Sequence, residues 1–307
     1  MELNKKRYRD LDTYYKIKYN KKIIKLPLDG GFTCPNRDGS LSFKGCIYCS
    51  DNGAGEWTYK SAGAIKNQIA FQKNKLSKPG REEAYIAYFQ NFTNTYGDIE
   101  NMREMFFAAI NEPDVVGLSI ATRADCLPDE VLNLLDQLNQ ITDLTVELGM
   151  QSVNEKTLEF INRGYDHRTF DQGVDKINRL AIKSIAHIIV GFPNENEADY
   201  INNILYINQK NFWGVKIHNL YIENDSYLKY YYEKNKIEYT MSKDGYANTV
   251  VKMLRHLNPN TVVNRLTGDG IKQNIAYPDW SKNKAAVLST IDKIMKAKDF
   301  SQGDLFS

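Results

Sequence analysis

Three of the four cysteines in this chain of 307 residues lie close together, at positions 34, 46 and 49. Eleven residues separate Cys34 from Cys46, and two separate Cys46 from Cys49. Thiolates are soft ligands that bind zinc or the iron of iron–sulfur clusters. In a reducing cytosol, clustered cysteines therefore indicate a metal site more than a disulfide framework.

Two kinds of metal site are compatible with this spacing. In a [4Fe–4S] cubane, three thiolates leave one iron without a protein ligand, open to another molecule. A structural zinc ion would need a fourth ligand, such as a distant histidine or Cys126, the remaining cysteine. Free cysteines are more often small core residues, and we favour that interpretation for Cys126.

The elements that must position these thiols are indicated by apolar runs. Six runs predict strands, at Ile23–Leu28, Ala84–Phe89, Val115–Ile120, Leu144–Leu148, Ser184–Val190 and Val215–Ile222. Helical patterns separate most of them, at Pro128–Asn139, Glu155–Ile161, Phe170–Ala181 and Asp199–Gln209. Strands that alternate with helices predict an α/β fold, here a partial (β/α)6 TIM-like barrel.

The predicted barrel spans residues 23–224 and is flanked by two further segments. Residues 1–22 form a basic N-terminal arm, rich in lysine, arginine and tyrosine, which suits nucleic acid but also an ordinary solvated surface. Residues 225–307 form a helical C-terminal extension that we expect to pack on the barrel, with helices at Lys243–Leu257 and Lys282–Ala297. The final residues, 301–307, are expected to be loose.

The overall composition argues against a membrane protein. Hydrophobic residues make up 42% of the chain, charged residues 25%, and the net charge is only +2. No apolar stretch reaches the ~18 residues that a transmembrane helix needs. The N-terminus also lacks the apolar region of a secretory signal peptide. We therefore expect a cytoplasmic protein with no membrane partner.

Polar residues at the carboxyl ends of the predicted strands are the next candidates, because active sites of parallel barrels form there. The three cysteines follow the first strand. Gln90, Asn91, Thr93 and Asn94 follow the second. Their amides and hydroxyls could bind a polar ligand or form an ordinary surface loop.

Further motifs resemble the radical S-adenosylmethionine (SAM) superfamily. Tyr48 is the aromatic residue before the last cysteine, Glu147-Leu-Gly-Met-Gln151-Ser resembles a Gly-x-Gln-Ser signature, and Arg163 follows twelve residues after Gln151. The segment from His187 to Glu195 resembles a Gly-Leu-Pro-Gly-Glu signature. The resemblance implies a [4Fe–4S] cluster on the catalytic cysteines Cys34, Cys46 and Cys49, with SAM bound by Tyr48, Gln151, Arg163 and His187.

One motif of that superfamily is absent. A Gly-Gly-Glu sequence normally follows the second strand and binds the amino group of SAM, but Gln90, Asn91 and Thr93 stand there in this chain. The resemblance implies that these polar side chains take over the same task. Thr122 and Arg123, after the third strand, are implied as further SAM contacts.

Other segments resemble a narrower group. Thr122-Arg-Ala-Asp125 resembles a stretch of the Elongator catalytic subunit, a radical SAM protein that modifies wobble uridines in tRNA. With Lys216-Ile-His218 and Arg265-Leu-Thr-Gly-Asp269, the chain resembles the bacterial radical SAM family called YhcC or YtqA, from about residue 10 to residue 303. The resemblance implies that the substrate contacts Asp125, His218, Arg265 and Asp269. Two expected features, a Lys-Gly-Thr stretch and a histidine, are replaced by Glu223-Asn-Asp-Ser226 and Asn264.

The implied activity is a radical SAM reaction, in which an electron from the cluster cleaves SAM to a 5′-deoxyadenosyl radical. The implied substrate is the C5 side chain of tRNA wobble uridine (U34), converted from carboxymethylaminomethyl to aminomethyl on the route to methylaminomethyluridine. The implied partners are tRNA and a reductant such as flavodoxin or ferredoxin. Two alternatives stay open: a radical SAM enzyme acting on a small metabolite or peptide, and a non-catalytic zinc-binding RNA adaptor.

Overall fold

The computed structural model describes residues 6–51, 53, 58, 63–234, 236–268 and 270–306. Its strands are β1 (Lys22–Leu28), β2 (Glu83–Phe89), β3 (Val115–Thr122), β4 (Asp143–Gln151), β5 (Lys183–Val190), β6 (Gly214–Asn219), β7 (Ile222–Glu223), β8 (Val262–Arg265) and β9 (Ile275–Tyr277). Its helices are α1 (Leu11–Tyr19), α2 (Ile65–Leu76), α3 (Ile99–Ile110), α4 (Asp129–Ile141), α5 (Glu155–Phe160), α6 (His167–Arg179), α7 (Glu197–Gln209), α8 (Tyr227–Glu233), α9 (Lys243–His256) and α10 (Lys284–Ala297). A short 3-10 helix, Asp279–Lys282, precedes α10.

Among the described residues, seven strands form one curled, fully parallel sheet in the order β1-β2-β3-β4-β5-β6-β8. The strands are rich in apolar residues that leave water completely, such as Leu118, Val146 and Ile188. Burying each such side chain contributes about 1.5–3 kcal/mol, which is why these runs fold as interior strands. The α/β half-barrel predicted from the alternating pattern is confirmed.

The helices cover the outer face of the sheet, and α6 shows how the sequence fixes one of them. Asp166 caps its N-terminus by accepting a hydrogen bond from the Thr169 backbone N–H at 2.8 Å. Phe170, Val174 and Ile177 then recur at helical spacing and are fully buried. Gly173 allows α6 to approach the loop after β3, because a Cβ there would lie 2.4 Å from the Ala124 carbonyl oxygen.

The C-terminal extension differs from the prediction in one respect. It is mostly helical, but it also supplies β8, which pairs with β6 through Gly214 opposite Val262 and Val215 opposite Val263. The predicted strand Val215–Ile222 divides into β6 and β7, and β7 pairs instead with β9 in a separate antiparallel pair. At four residues, β8 is too short to give a clear periodic signal.

The basic N-terminal segment is not a separate arm in the part that the structure describes. Helix α1 packs on the sheet through Tyr15, which is only 4% exposed, and the Val263 backbone N–H donates to the Arg9 carbonyl at 2.8 Å. Five of its cations form ion pairs with aspartates: Lys6 with Asp10, Arg7 with Asp299, Lys16 and Lys22 with Asp12, and Lys18 with Asp143. Aromatic packing and charge pairing thus attach the segment to the barrel.

The expectation of a loose C-terminal tail is wrong for residues 301–306. Gln302 is buried, and its Nε2 donates to the carbonyls of Asn258 and Thr261, both at 2.8 Å. Its Oε1 accepts the Arg9 backbone N–H at 2.8 Å. One glutamine therefore joins the tail to the N-terminal segment and to the loop before β8. None of the helices described is long and apolar enough to cross a membrane.

Candidate functional site

A cavity of about 240 Å³ opens at the carboxyl ends of the parallel strands. Its walls come from the cysteine loop after β1 and from residues at or beyond the ends of β2 to β6 and β8. Thirteen of the predicted site residues line it: Cys34, Cys46, Tyr48, Cys49, Gln90, Thr93, Thr122, Arg123, Gln151, Arg163, His187, His218 and Arg265. The structure therefore brings together side chains that are distant in sequence.

Among the described residues, two of the predicted site residues, Asn91 and Asp125, do not line this cavity. Asn91 is buried beside it, and its Nδ2 donates to Asp29 Oδ2 at 3.0 Å. Asp125 accepts two hydrogen bonds from Arg123, at 2.9 Å from Nε and 2.8 Å from Nη2, and so orients that guanidinium. Asp269 lies outside the described residues.

The cysteine loop is held by reciprocal hydrogen bonds to the turn after α5. Asn36 Nδ2 donates to the Asn162 carbonyl at 2.6 Å, and Asn162 Nδ2 donates back to the Gly45 carbonyl at 2.7 Å. The Ile47 backbone N–H donates to the Ile161 carbonyl at 3.0 Å. The loop that carries the thiols is thus fixed to the segment that leads into Arg163.

The thiols of this loop differ in acidity. Hydrogen bonding with Cys49, aided by the Arg123 charge and by Asn36, lowers the pKa of Cys46 to about 7 against the opposing effect of burial. The same hydrogen bond and burial raise the pKa of Cys49 well above its usual value. The thiolate is the metal-binding form of cysteine, and the lowered pKa of Cys46 favours that form.

The arrangement fits a cluster better than a single zinc ion. Within the residues that the structure describes, no group of three or more His, Cys, Asp or Glu side chains is placed to hold a single metal ion. Cys126 is buried, donates to Asp125 Oδ1 at 3.7 Å and has its pKa raised to about 12 by burial. In a cubane each thiolate binds a different iron, so three separate thiols on one wall are a suitable donor set.

Beside the thiols, Gln151 and Arg163 hold buried polar atoms that have no hydrogen-bond partner among the described residues, namely Gln151 Oε1 and Arg163 Nη2. Gln151 ends β4 at a bulge with φ of 58°, and Gly149 leaves room for its amide, since a Cβ there would lie 2.4 Å from Nε2. Arg163 Nη1 and Nε donate to the Met150 and Tyr165 carbonyls at 3.2 and 3.1 Å. Buried orphan polar atoms on a cavity wall mark a ligand site. We call Cys34, Cys46, Cys49, Gln151 and Arg163 the cysteine wall.

Deeper in the barrel, Glu147 is surrounded by donors from five other strands. Lys25 Nζ and Ser119 Oγ each lie 2.8 Å from Oε1, while Tyr88 Oη at 2.8 Å, His187 Nε2 at 2.7 Å and Lys216 Nζ contact Oε2. The Glu147 side chain has no exposed surface. We call Lys25, Tyr88, Ser119, Glu147, His187 and Lys216 the charged floor.

Burial and neighbouring charges shift the pKa values of the charged floor, and burial lowers that of Lys216 to about 7. Burial would raise the pKa of Glu147, but Lys216, Lys25 and His187 outweigh it and hold that pKa well below its usual value. Burial and the Lys216 charge lower the pKa of His187 to about 4, so His187 is neutral near pH 7. A neutral His187 can still donate its Nε2 proton to Glu147.

The sequence-based reasoning missed Lys25, Tyr88, Ser119 and the role of Lys216. A signal was present, because Lys25, Glu147 and Lys216 are charged residues in the interior of mostly apolar strands. A charge inside a buried strand requires a partner. Finding that partner requires the sheet, since Lys25 and Glu147 are 122 positions apart.

Comparisons with known proteins match most of the chain to two family models and to full-length relatives. The model of the radical SAM superfamily matches residues 34–207, and that of the radical SAM C-terminal domain matches residues 212–297. The chain is 38% identical to YtqA of Bacillus subtilis (strain 168) over 301 residues, covering 98% of this chain and 93% of YtqA. It is 31% identical to YhcC of Escherichia coli (strain K12), covering 91% of this chain and 89% of YhcC.

More distant similarities involve part of each relative. The tRNA-2-methylthio-N(6)-dimethylallyladenosine synthase of Clostridium botulinum (strain Hall) is 26% identical over 154 residues, 49% of this chain and 30% of that protein. Elp3 of Methanocaldococcus infernus aligns with a TM-score of 0.66 at 15% identity, over 91% of this chain and 64% of that structure. SuiB of Streptococcus suis, solved with S-adenosylmethionine, aligns with a TM-score of 0.55 at 12% identity, over 84% and 54%. Elp3 and SuiB thus have the same fold as this chain.

Proposed function

This chain belongs to the radical SAM superfamily, and from that premise we propose that it modifies the C5 side chain of a tRNA wobble uridine (U34). The proposed change converts a carboxymethylaminomethyl group to an aminomethyl group. The proposed partners are tRNA and a cytoplasmic reductant such as flavodoxin or ferredoxin.

Enzymes of this superfamily use a [4Fe–4S] cluster and SAM, which together supply a reductive cleavage that yields a 5′-deoxyadenosyl radical. In this chain Cys34, Cys46 and Cys49 would hold the cluster. Gln151 Oε1 and Arg163 Nη2 offer the acceptor and the donor that a bound amino acid group requires, since both atoms are buried on the same wall.

The remaining pocket residues would bind and orient SAM and the substrate. Tyr48 lines the pocket and packs edge-on against Phe192, with ring centroids 6.2 Å apart, which suits a flat base placed against it. Arg123 is fixed by Asp125 and by its donation to the Arg163 carbonyl at 2.9 Å. Enclosure inside the half-barrel excludes water from the substrate methylene that would lose a hydrogen atom.

The observation that carries the tRNA proposal is the position of the segment from Thr122 to Asp125. This segment resembles the Elongator catalytic subunit, and its Thr122 and Arg123 line the pocket. The half-barrel also shares its fold with Elp3. Part of the chain resembles tRNA-2-methylthio-N(6)-dimethylallyladenosine synthase, whose name describes a different tRNA modification. A small metabolite or a peptide is the competing substrate class.

The proposal is tested by mass spectrometry of tRNA nucleosides from cells that lack the gene for this chain. We expect carboxymethylaminomethyluridine to accumulate, and the aminomethyl and methylaminomethyl forms to disappear. The wild-type gene should restore them, whereas Cys34→Ala should not. An unchanged nucleoside profile would refute the proposal and favour the metabolite or peptide alternative.

A further inference from the structure

Asn36 lies inside the cysteine loop, two positions after Cys34, and none of its surface is exposed to water. The Cys34 carbonyl accepts the backbone N–H of Arg37 at 2.8 Å, so the chain turns sharply at this point. The Gly45 backbone N–H then donates to the Asn36 carbonyl at 2.6 Å. Because Gly45 directly precedes Cys46, this bond brings Asn36 close to the second thiol of the loop.

The amide of Asn36 has a defined orientation. Its Nδ2 donates to the Asn162 carbonyl at 2.6 Å, and a carbonyl oxygen can only accept, so the nitrogen of the amide must face that turn. The same nitrogen lies 3.6 Å from Cys46 Sγ, a hydrogen-bond distance for an atom as large as sulfur. One proton of the amide group therefore points to Asn162 and the other to the thiol of Cys46.

This contact has a consequence for electron transfer as well as for folding. A cluster-bound thiolate carries negative charge, and one-electron reduction of the cluster adds more. An N–H group that donates to the sulfur stabilises that charge, and hydrogen bonds to the sulfurs help to set the reduction potential of such clusters. The effect is larger away from water, where Asn36 lies.

We propose that Asn36 is a positioning residue for the cluster: its Nδ2 donates to the sulfur of the ligand Cys46, keeps that ligand in place and raises the reduction potential. The inference rests on the [4Fe–4S] cluster of the proposed function and does not depend on the RNA substrate. Tyr48 also forms a side-chain hydrogen bond with Cys46, so a test must distinguish the two donors.

The first test detects the contact in the wild-type protein. The full chain is produced with asparagine labelled with nitrogen-15 at the side-chain amide, reconstituted anaerobically with iron and sulfide, reduced, and examined by pulsed electron paramagnetic resonance. We expect a nitrogen-15 hyperfine coupling to the cluster, which Tyr48 cannot produce because it carries no label. Absence of this coupling in the wild type would overturn the proposal, however the variants fold.

Two variants separate the sulfur contact from the attachment of the loop. Asn36→Leu removes the bond to the Asn162 carbonyl together with the bond to Cys46. Asn162→Gly removes only the return bond to the Gly45 carbonyl at 2.7 Å and keeps the carbonyl that orients Asn36. Glycine also accepts the positive φ of 55° at position 162. Each variant thus loses one bond of the reciprocal pair, but Asn36→Leu alone loses the donor to sulfur.

The second test measures the reduction potential of the reconstituted proteins by electrochemical titration, and the rate at which they release iron to EDTA. We expect Asn36→Leu to shift the potential to a more negative value, to release iron at least about 10-fold faster and to lose the nitrogen-15 coupling. Asn162→Gly should retain the wild-type potential and the coupling. Its iron release should be less than about 10-fold faster than that of the wild type.

Two results of the second test would overturn the proposal. A wild-type potential in a cluster-loaded Asn36→Leu protein would leave Asn36 with a purely structural role. Equal shifts of potential in both variants would assign the effect to the attachment of the loop and not to the sulfur contact. Neither result depends on RNA, so an unchanged tRNA nucleoside profile would refute the wobble-uridine function and leave the assignment of Asn36 intact.

Discussion

The cysteine wall and three residues of the charged floor, Tyr88, Glu147 and His187, line one pocket, but the polar groups of the two regions are satisfied in opposite ways. On the floor, both oxygens of Glu147 are surrounded by donors at 2.7–2.8 Å or closer. On the wall, Gln151 Oε1 and Arg163 Nη2 are buried with no partner among the described residues. On the floor, the hydrogen bonds of Glu147 are made within the protein. On the wall, the two buried atoms gain hydrogen-bond partners only when a ligand binds.

This difference assigns different tasks to the two regions. A satisfied ionic network in a sheet fixes its members in position, and breaking it costs folding free energy. Unsatisfied buried groups cost stability in the unliganded protein and recover it on binding. We therefore expect substitutions in the wall to remove cofactors from a folded protein, and substitutions in the floor to destabilise the fold.

The largest expected effect is loss of the iron–sulfur cluster, which we expect for Cys34→Ala but not for Cys126→Ala. Cys34→Ala should abolish the iron–sulfur absorbance after anaerobic reconstitution, together with reductive formation of 5′-deoxyadenosine from SAM, because the cluster loses one of three protein ligands. Cys126→Ala is the matched control and should retain both, since Cys126 is a buried residue outside the pocket wall. A colourless wild-type protein that binds zinc instead would contradict the cluster assignment.

The next effect concerns folding. Glu147→Gln leaves Lys25 and Lys216 without their common carboxylate, and removing one partner of a buried pair costs about 3–5 kcal/mol. Urea unfolding should show that loss, whereas Glu104→Gln on the exposed face of α3 should lie within about 0.5 kcal/mol of wild type. Adding Lys216→Met should recover part of the stability. A stable Glu147→Gln variant that has lost SAM binding would reverse the contrast between the two regions.

A smaller effect depends on pH and on His187. Its pKa is about 4 in the folded protein against an ordinary value of 6.5, so the unfolded chain takes up the proton first as pH falls. The free energy of unfolding should therefore fall between pH 6.5 and about 4, by at most about 1.4 kcal/mol per pH unit.

His187→Gln isolates this contribution. Glu195, whose pKa burial raises to about 7, contributes a slope of opposite sign in part of the same range, but it is present in both proteins. The difference between wild type and His187→Gln should thus shrink as the pH falls through the window. A constant difference would mean that His187 has the same pKa in the folded and the unfolded protein.

The sequence predicted the parallel sheet well, because its strands are continuous apolar runs bounded by turns. The predicted Ser184–Val190, for example, is observed as Lys183–Val190. Helix α2 was missed because two of its buried residues are the glutamines Gln68 and Gln72, which weaken the apolar period. Their amides satisfy backbone carbonyls of Asp29 and Pro27 at 2.8 and 2.9 Å, a role that only the folded chain shows.

The sequence indicated the residues of the cysteine wall but not the network of the charged floor. Spacing and resemblance indicated the cysteine wall, since a loop of nearby residues and short motifs carry it. The bulge that turns Gln151 inward was not predictable, because φ of 58° at a glutamine depends on its tertiary surroundings. The charged floor joins residues from six strands, so no local pattern contains it.

The smallest expected effect extends the contrast to the basic N-terminal segment, whose described cations are mostly paired like those of the floor. Lys16 and Lys22 share Asp12, and such exposed pairs contribute about 0–1 kcal/mol. If tRNA binds, Lys16→Ala should leave the salt dependence of binding unchanged. Lys44 is exposed on the cysteine loop, beside Gly45 of the pocket wall. Lys44→Ala should reduce the slope of log K against log salt concentration by about 0.7–0.9, the value for one lost phosphate contact. Filter binding across a salt series measures both slopes. An equal reduction for Lys16→Ala would show that the N-terminal segment contacts RNA phosphates even though its lysines are paired with aspartates.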